Sequence, residues 1–244
     1  MSGITQFYEA IKDLQSSVIE SQMDVLTKIA EVMANTILND GSIFLFGTGH
    51  SSILPQEGNF RAGGLAPVIP ILRTNLMLHE NALLSGAIER IQGLAPTILE
   101  SYNPKSTDMI FVISNSGVNN MPVEMALTAK KIGLVTVAIC SFKYAKVAPL
   151  SSIGKRLYEI VDYALDNGGE PGDAIIPLNT LQWKVGSTST IINSLIWQCL
   201  ITETALLIEK KNKNVPVFAS FNMPGADDHN KELLLKWRIR NPHV

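Results

Sequence analysis

The sequence predicts an α/β fold in three layers, in which a five-stranded parallel sheet of flavodoxin-like order lies between two layers of helices, with a helical extension at the N-terminus. Three observations predict it: short apolar runs bounded by turn residues, helical patterns between most of these runs, and an amphipathic stretch before the first run. Apolar runs of this length are typical of strands buried on both faces. Strands that alternate with helices form parallel βαβ units with right-handed crossovers.

Five apolar runs supply the predicted strands, at residues 42–46, 66–72, 109–114, 134–140 and 160–165. Helical patterns lie between most of them, at residues 51–62, 76–101 and 120–132. A further helix is expected after the last strand, where a cluster of serine and threonine at 186–190 precedes a long apolar stretch.

The two ends of the chain add helices to this core. Apolar residues recur at helical spacing from 4 to 38 and the pattern stops at Asn39-Asp40-Gly41, so we expect one long helix or two short ones. The tail at 211–244 ends in a short amphipathic helix. Because no break in composition marks a boundary, we expect residues 1–244 to form one domain with its core at about 35–210.

Composition narrows the classes of function. A chain of 244 residues with 46% hydrophobic and 17% charged residues can bury one large core. A net charge of −2 and a pI near 6.1 give no electrostatic footprint for nucleic acid. The polar start lacks the features of a signal peptide, and no apolar run approaches about 20 residues, so we expect a cytoplasmic protein without a membrane segment.

Cysteine and histidine usage gives no sign of a disulfide or a metal. Cys140 and Cys199 both lie in apolar runs, which predicts reduced packing residues. The four histidines are scattered without metal-ligand spacing. We therefore expect no metal and no cofactor.

Three turns rich in hydroxyl groups follow predicted strands: the first turn at 47–52, the second at 114–120 and the third at 186–190, which opens the helix after the fifth strand. Ligands of open parallel sheets bind beyond the carboxyl ends of the strands. The turns contain no lysine or arginine, which suits a phosphate held by neutral donors and helix ends. Taken alone, the first turn is more typical of an ordinary connection in which Ser51 or Ser52 caps a helix.

The motifs "GTGHSS", "SNSGVNNMPVEMALTAKKIGLVTVAIC" and "GSTSTIINSL", in this order and spacing, resemble the sugar isomerase (SIS) domain over about residues 35–210. This is the phosphosugar-binding fold of phosphoheptose isomerases, of the isomerase half of glucosamine-6-phosphate synthase and of N-acetylmuramic acid 6-phosphate etherases. With "QEGNFRAGGLAP" and "GADDHN" included, the whole chain is most similar to a bacterial group of stand-alone SIS proteins sometimes labelled phosphoheptose isomerases.

The resemblance implies a phosphorylated sugar as ligand and assigns its binding to the three turns. Asn119 stands where many members have a threonine and retains the ability to donate a hydrogen bond. The expected binding residues are Gly47, Thr48, Gly49, His50 and Ser51 in the first turn, Ser114, Asn115, Ser116 and Asn119 in the second, and Ser187 and Thr188 in the third.

Catalysis on an open-chain sugar phosphate needs a carboxylate or an imidazole poised over the sugar. In the isomerases and etherases of this family, a glutamate lies 14 residues beyond the first glycine of the first turn, and here that position is Arg61. Glu57 lies one helical turn earlier on the same face, which makes it a candidate base with Arg61 as its partner or as a clamp on a substrate anion. The alternative is a surface ion pair between residues i and i+4.

Four further residues are candidates, Glu89 and His229 by resemblance and His79 and Lys184 by their position near the predicted site. Glu89 lies in a stretch comparable to the etherase helix that carries a glutamate before the third strand, although simple exposure to solvent explains it equally well. His229 resembles a late histidine that opens the sugar ring, often in the site of a neighbouring subunit. His79 and Lys184 are candidate substrate clamps, with helix capping as the alternative for His79.

The resemblance implies an enzyme, either an aldose–ketose isomerase or an etherase-like lyase. The alternative is a non-catalytic phosphosugar sensor, because SIS domains also occur in regulators of sugar metabolism, and Arg61 in place of glutamate favours it. A DNA-binding regulator is disfavoured by the lack of a helix-turn-helix extension or a basic patch. The apolar positions of residues 4–38 and the pairing of SIS domains predict a homodimer or a higher homo-oligomer, with sites near the subunit boundary.

Overall fold

The computed structural model describes residues 1–244 and is built on a parallel five-stranded sheet. The strands pair in the order β2-β1-β3-β4-β5, so the predicted flavodoxin-like sheet is confirmed. In this order β1 and β3 are neighbours at the point where the strand order reverses, and ligands of such sheets bind there. The strands are β1 (Ile43–Gly47), β2 (Val68–Ile71), β3 (Met109–Ile113), β4 (Val135–Cys140) and β5 (Tyr163–Asp166).

Eight α-helices surround the sheet, and the N-terminal pattern forms a single helix of 36 residues. The side chain of Ser2 caps this helix by accepting a hydrogen bond from the backbone N–H of Thr5 at 3.2 Å. The helices are α1 (Gly3–Leu38), α2 (Ile53–Gly58), α3 (Ala82–Ile88), α4 (Ala95–Glu100), α5 (Asn120–Ile132), α6 (Phe142–Val147), α7 (Ser189–Lys210) and α8 (Ala226–Trp237).

Alternate residues of each strand face different helical layers. Ile43 and Leu45 of β1 pack into a core formed with α1 and α7. Phe44 and Phe46 pack on the opposite face, in a core formed with α4 and α5. Because successive strand residues point to opposite faces, a strand covered by helices on both sides must be apolar throughout. This explains the continuous apolar runs in the sequence.

By length and composition, α7 is the one helix that could span a membrane. Its apolar residues Ile192, Ile196, Trp197 and Leu200 are buried in the core that it shares with α1 and the sheet. The hydrophobicity of this helix is therefore explained by its packing inside the domain.

Two predicted helices are shorter than expected. The stretch 76–101 is not one helix. Asn81 caps α3, and Gly93, with φ of +91°, breaks the helical conformation before α4 begins. The stretch 51–62 forms a 3₁₀ turn at Gly49–Ser52 and the short α2, which ends where Asn59 becomes extended and Phe60 adopts φ of +45°.

A two-stranded antiparallel hairpin that was not predicted connects β5 to α7. It consists of β6 (Ala174–Pro177) and β7 (Lys184–Ser187), so the third turn follows this hairpin and not the fifth strand. The hairpin packs on the start of α1, where a Cβ added to Gly186 would lie 2.7 Å from Cδ2 of Phe7. The half-buried β6 is a run of only four residues that ends in a proline, and the largely exposed β7 has no apolar run, which is why periodicity did not reveal them.

Candidate functional site

A cleft of about 470 Å³ opens at the carboxyl edge of the sheet, and residues from all three hydroxyl-rich turns line it. Nearly all of its lining is polar. The lining residues are Thr48, His50, Ser51, Glu89, Arg90, Ser114, Asn115, Ser116, Asn119, Tyr144, Gly172, Asp173, Ser187, Ser189 and Thr190.

The first turn follows β1 and folds tightly because Gly47 lacks a side chain. A Cβ at Gly47 would lie 2.3 Å from the carbonyl oxygen of Ser51, a separation too short for any side chain. Gly49 has φ of +54°, a region that glycine adopts at little cost. The turn thereby places Thr48, His50 and Ser51 on the wall of the cleft.

The second turn presents unpaired backbone donors. The N–H of Gly117 donates to Oγ of Ser114 at 3.3 Å, and Gly117 has φ of +61°. The N–H groups of Ser116, Val118 and Asn119 donate to no acceptor in the protein. Unpaired N–H groups next to a helix N-terminus, here that of α5, are a favourable place for an anion.

Glu89 lies between the first and second turns. Its Oε2 accepts a hydrogen bond from the hydroxyl of Thr48 at 2.7 Å, and its Oε1 accepts one from Nδ2 of Asn119 at 2.8 Å. Nη1 of Arg90 also lies 3.2 Å from Oε1. The side chain of Glu89 is only 15% exposed, so the alternative of a simple solvent-exposed residue does not describe it.

The third turn is occupied by a carboxylate of the protein itself. Oδ1 of Asp173 accepts hydrogen bonds from the N–H of Thr188 at 3.1 Å and the N–H of Ser189 at 2.8 Å. Oδ2 accepts one from the hydroxyl of Ser189 at 2.7 Å. Thr188 is fully buried and its hydroxyl also points to Asp173. Of the two residues predicted here, only Ser187 lines the cleft.

A chain of three amides fixes the orientation of Asn115. Nδ2 of Asn167 donates to Oδ1 of Asn115 at 3.0 Å and to Oδ1 of Asn193 at 2.9 Å. The backbone N–H of Gly169 donates to Oδ1 of Asn167 at 3.0 Å, which settles the direction of the Asn167 amide. Nδ2 of Asn115 is buried and has no partner within the protein. It is therefore a free donor on a residue that lines the cleft.

Glu57 and Arg61 lie outside the cleft. They form an ion pair with each other, and Glu57 also accepts a hydrogen bond from Nε2 of Gln198 in α7 at 3.2 Å. The side chains of Glu57 and Arg61 are 33% and 43% exposed, so they form the surface ion pair that was the alternative to a catalytic role.

His79, Lys184 and His229 are also absent from the cleft lining. His79 is exposed. Lys184 lies on the hairpin, with Nζ 3.4 Å from Oε2 of Glu170. His229 is exposed on α8, with Nε2 2.7 Å from the carbonyl oxygen of Val217.

Glu170 and Cys140 lie outside the cleft and have shifted pKa values. The ammonium of Lys143 holds the pKa of Glu170 below its usual value, although burial opposes this effect. Burial raises the pKa of the Cys140 thiol, so this cysteine is an unreactive core residue. Cys140 and Cys199 are both free, as predicted.

Several lining residues were not predicted from the sequence: Arg90, Tyr144, Gly172, Asp173, Ser189 and Thr190. Ser189 and Thr190 belong to the third turn, so the hydroxyl cluster itself was a signal for them. Asp173 ends the glycine-rich loop after β5, and only the hairpin brings it to the start of α7.

Known proteins are similar to this chain in sequence and in fold. The SIS domain model matches residues 6–141. A UPF0309 protein of Geobacillus thermodenitrificans is 38% identical over 240 residues, which cover 98% of this chain and 96% of the relative. These matches confirm the predicted SIS resemblance.

Two solved structures show a similar fold. The phosphoheptose isomerase of Neisseria gonorrhoeae superposes with a TM-score of 0.53 at 15% identity, covering 85% of this chain and 97% of that one. The sugar isomerase domain of an RpiR transcription factor from Sphaerobacter thermophilus gives a TM-score of 0.51 at 14% identity, covering 87% and 98%. In sequence and in fold, the chain belongs to the SIS domain family.

Proposed function

We propose that this protein binds a phosphorylated sugar in the cleft and that Glu89 transfers a proton on the bound sugar. The observation that carries the proposal is the position of the Glu89 carboxylate, which lies within hydrogen-bonding distance of both the first and the second turn, at Thr48 and Asn119. A base held beside an anion site is the arrangement that chemistry on a sugar phosphate requires.

The second turn is the proposed phosphate site. Its unpaired N–H groups supply donors, and the hydroxyls of Ser51, Ser114 and Ser116 line the same cleft. The N-terminus of α5 adds its favourable dipole. A volume of about 470 Å³ lies within the range of pockets for small molecules and accommodates a sugar phosphate.

Glu89 is suited to act on a carbon next to the carbonyl of an open-chain sugar. In an isomerase, the carboxylate takes the proton from C2 of the aldose and returns it to C1, while the proton on O2 moves to O1 through an enediol, which yields the ketose. In an etherase-like lyase, removal of the C2 proton is followed by loss of the substituent on C3. The bonds from Thr48 and Asn119 hold the carboxylate in place and leave further lone pairs free to accept the proton.

The proposed working form is a cytoplasmic homodimer or higher homo-oligomer. Large apolar side chains are exposed along α1 and the hairpin, including Ile4 (85%), Tyr8 (63%) and Trp183 (69%). The predicted role of His229 belongs to this proposal, because within one chain it lies outside the cleft.

A panel of aldose and ketose phosphates tests this function. We expect at least one member to raise the melting temperature and to be converted by the wild type, with Glu89→Gln lowering kcat by a factor of about 10² or more. Glu57→Gln is the comparison variant, since the same chemical change then falls on the glutamate outside the cleft. A loss of turnover confined to Glu57→Gln would contradict the assignment of Glu89.

A phosphosugar sensor is the second candidate function. The three donors that already contact the Glu89 carboxylate favour it, because they allow a purely structural link between the first and second turns. Under this alternative, a sugar phosphate raises the melting temperature of the wild type but no member of the panel is converted.

A further inference from the structure

The carboxylate of Asp173 gives two of the turns that line the cleft different electrostatic characters. At the second turn, the N–H groups of Ser116, Val118 and Asn119 are unpaired. At the third turn, the N–H groups of Thr188 and Ser189 already donate to Asp173. Both turns line one cleft, so a ligand that contacts both meets anion donors at the second turn and a fixed anion at the third.

No cation of the protein neutralises Asp173. The four hydrogen bonds to its carboxylate come from two backbone N–H groups and two hydroxyls, of Thr188 and Ser189. The nearby lysines Lys143 and Lys184 both pair with Glu170. In the cleft, the charge of Arg90 is opposed by Glu89. Asp173 therefore remains a negative charge at the α7 end of the site.

A second anionic group on the ligand would be repelled there. A helix N-terminus attracts anions, but at α7 its first donors are used by an internal carboxylate. A phosphate or carboxylate brought next to Asp173 would meet a like charge inside a partly closed cleft, where the repulsion is weakly screened. A hydroxyl or an amine would not.

We propose that Asp173 determines specificity by restricting the ligand to sugar monophosphates whose opposite end is neutral or cationic, and by excluding bisphosphates and phosphorylated sugar acids. This inference rests on the proposed function, because it takes the second turn as the phosphate site. It adds the class of sugar phosphate that the cleft selects.

The test compares three probes, fructose 6-phosphate, fructose 1,6-bisphosphate and 6-phosphogluconate, by calorimetry at fixed ionic strength. The wild type is expected to bind fructose 6-phosphate at least about tenfold more tightly than either probe that carries a second anionic group. Asp173→Asn keeps an acceptor for the N–H groups of Thr188 and Ser189 but removes the charge, so this preference should fall several-fold.

Asp166→Asn is the matched control. Asp166 also accepts backbone hydrogen bonds, from Phe142 and Gly168 at 3.0 Å each, but it does not line the cleft. Its substitution should leave the ratio of affinities unchanged.

A purely structural role of Asp173 predicts equal losses for all three probes and would overturn the inference, as would a wild type that prefers the bisphosphate. If none of the probes or other sugar phosphates binds the wild type, the proposed function itself fails, which is a different outcome.

Discussion

At the scale of single residues, the direction of one side-chain amide decides which atom of Asn115 is left without a partner. Oδ1 of Asn115 accepts a hydrogen bond from Asn167, so the unpaired atom is the donor Nδ2. An acceptor in that place would repel a phosphate oxygen, whereas a donor attracts it. A hydrogen bond to a charged group contributes about 1.5–3 kcal/mol.

Asn167→Asp tests this orientation. The new carboxylate can still accept from the N–H of Gly169, but it cannot donate to Oδ1 of Asn115, so the Asn115 amide should turn its nitrogen toward the new carboxylate and leave Oδ1 as the unpaired atom. We expect inorganic phosphate to bind about tenfold more weakly by calorimetry. Asn193→Asp adds a similar charge but keeps an acceptor for Asn167, and its effect should be clearly smaller. Equal effects of the two variants would indicate that the added charge alone is responsible.

The predictability of the site differs between residue types. Glycines and hydroxyls in the three turns were visible because turns after apolar strands have a fixed place at the sheet edge. The residue that acts as acid or base could not be predicted, because the direction of a side chain depends on packing. Glu57 lies close to the first turn in sequence, yet its side chain pairs with Arg61. Glu89 lies 41 residues from Thr48 in sequence, yet its carboxylate accepts a hydrogen bond from Thr48 in the cleft.

At the scale of elements, the first turn depends on the absence of a side chain at Gly47. An added Cβ would meet the backbone of Ser51 at 2.3 Å, and backbone cannot move aside cheaply. The strand and the turn must then separate.

Gly47→Ala should destabilise the protein by about 1–3 kcal/mol, as overpacking does, and displace Ser51 from the cleft. Urea denaturation measures the first effect, and a melting-temperature shift with a sugar phosphate measures the second. Gly3→Ala is the control, because a Cβ there meets nothing within 4 Å. Equal stability of the two variants would show that the turn is not as tight as described.

Elements with strong periodicity were predicted and the others were not. The five core strands and α1 were found because burial on one or both faces imposes a regular apolar pattern. The hairpin of β6 and β7 was missed because solvent and the start of α1 impose no such pattern on it.

At the scale of the whole molecule, long-range contacts that no local sequence pattern predicts join the C-terminal tail to the core. Arg240 near the C-terminus donates to both oxygens of Asp108, which is fully buried just before β3. The sequence predicted a tail helix but not this anchor, since nothing at position 240 indicates its partner.

The exposed apolar residues of α1 and the hairpin lead to a prediction about assembly. Burial of this surface between subunits would remove large apolar side chains from water, including Met23 and Trp183, which are 51% and 69% exposed. Light scattering at micromolar concentration should give at least twice the 26.6 kDa mass of the chain. A mass of one chain under these conditions contradicts the prediction.

The central claim is that the second turn holds the phosphate of a sugar phosphate. Calorimetry of the wild type and Ser116→Ala, with a phosphorylated hexose and the same hexose without phosphate, tests it most directly. Removing one hydroxyl donor to a charged group should weaken the phosphosugar about tenfold or more and leave the weak binding of the free sugar nearly unchanged. Equal losses for both sugars, or no loss for either, would place the phosphate elsewhere.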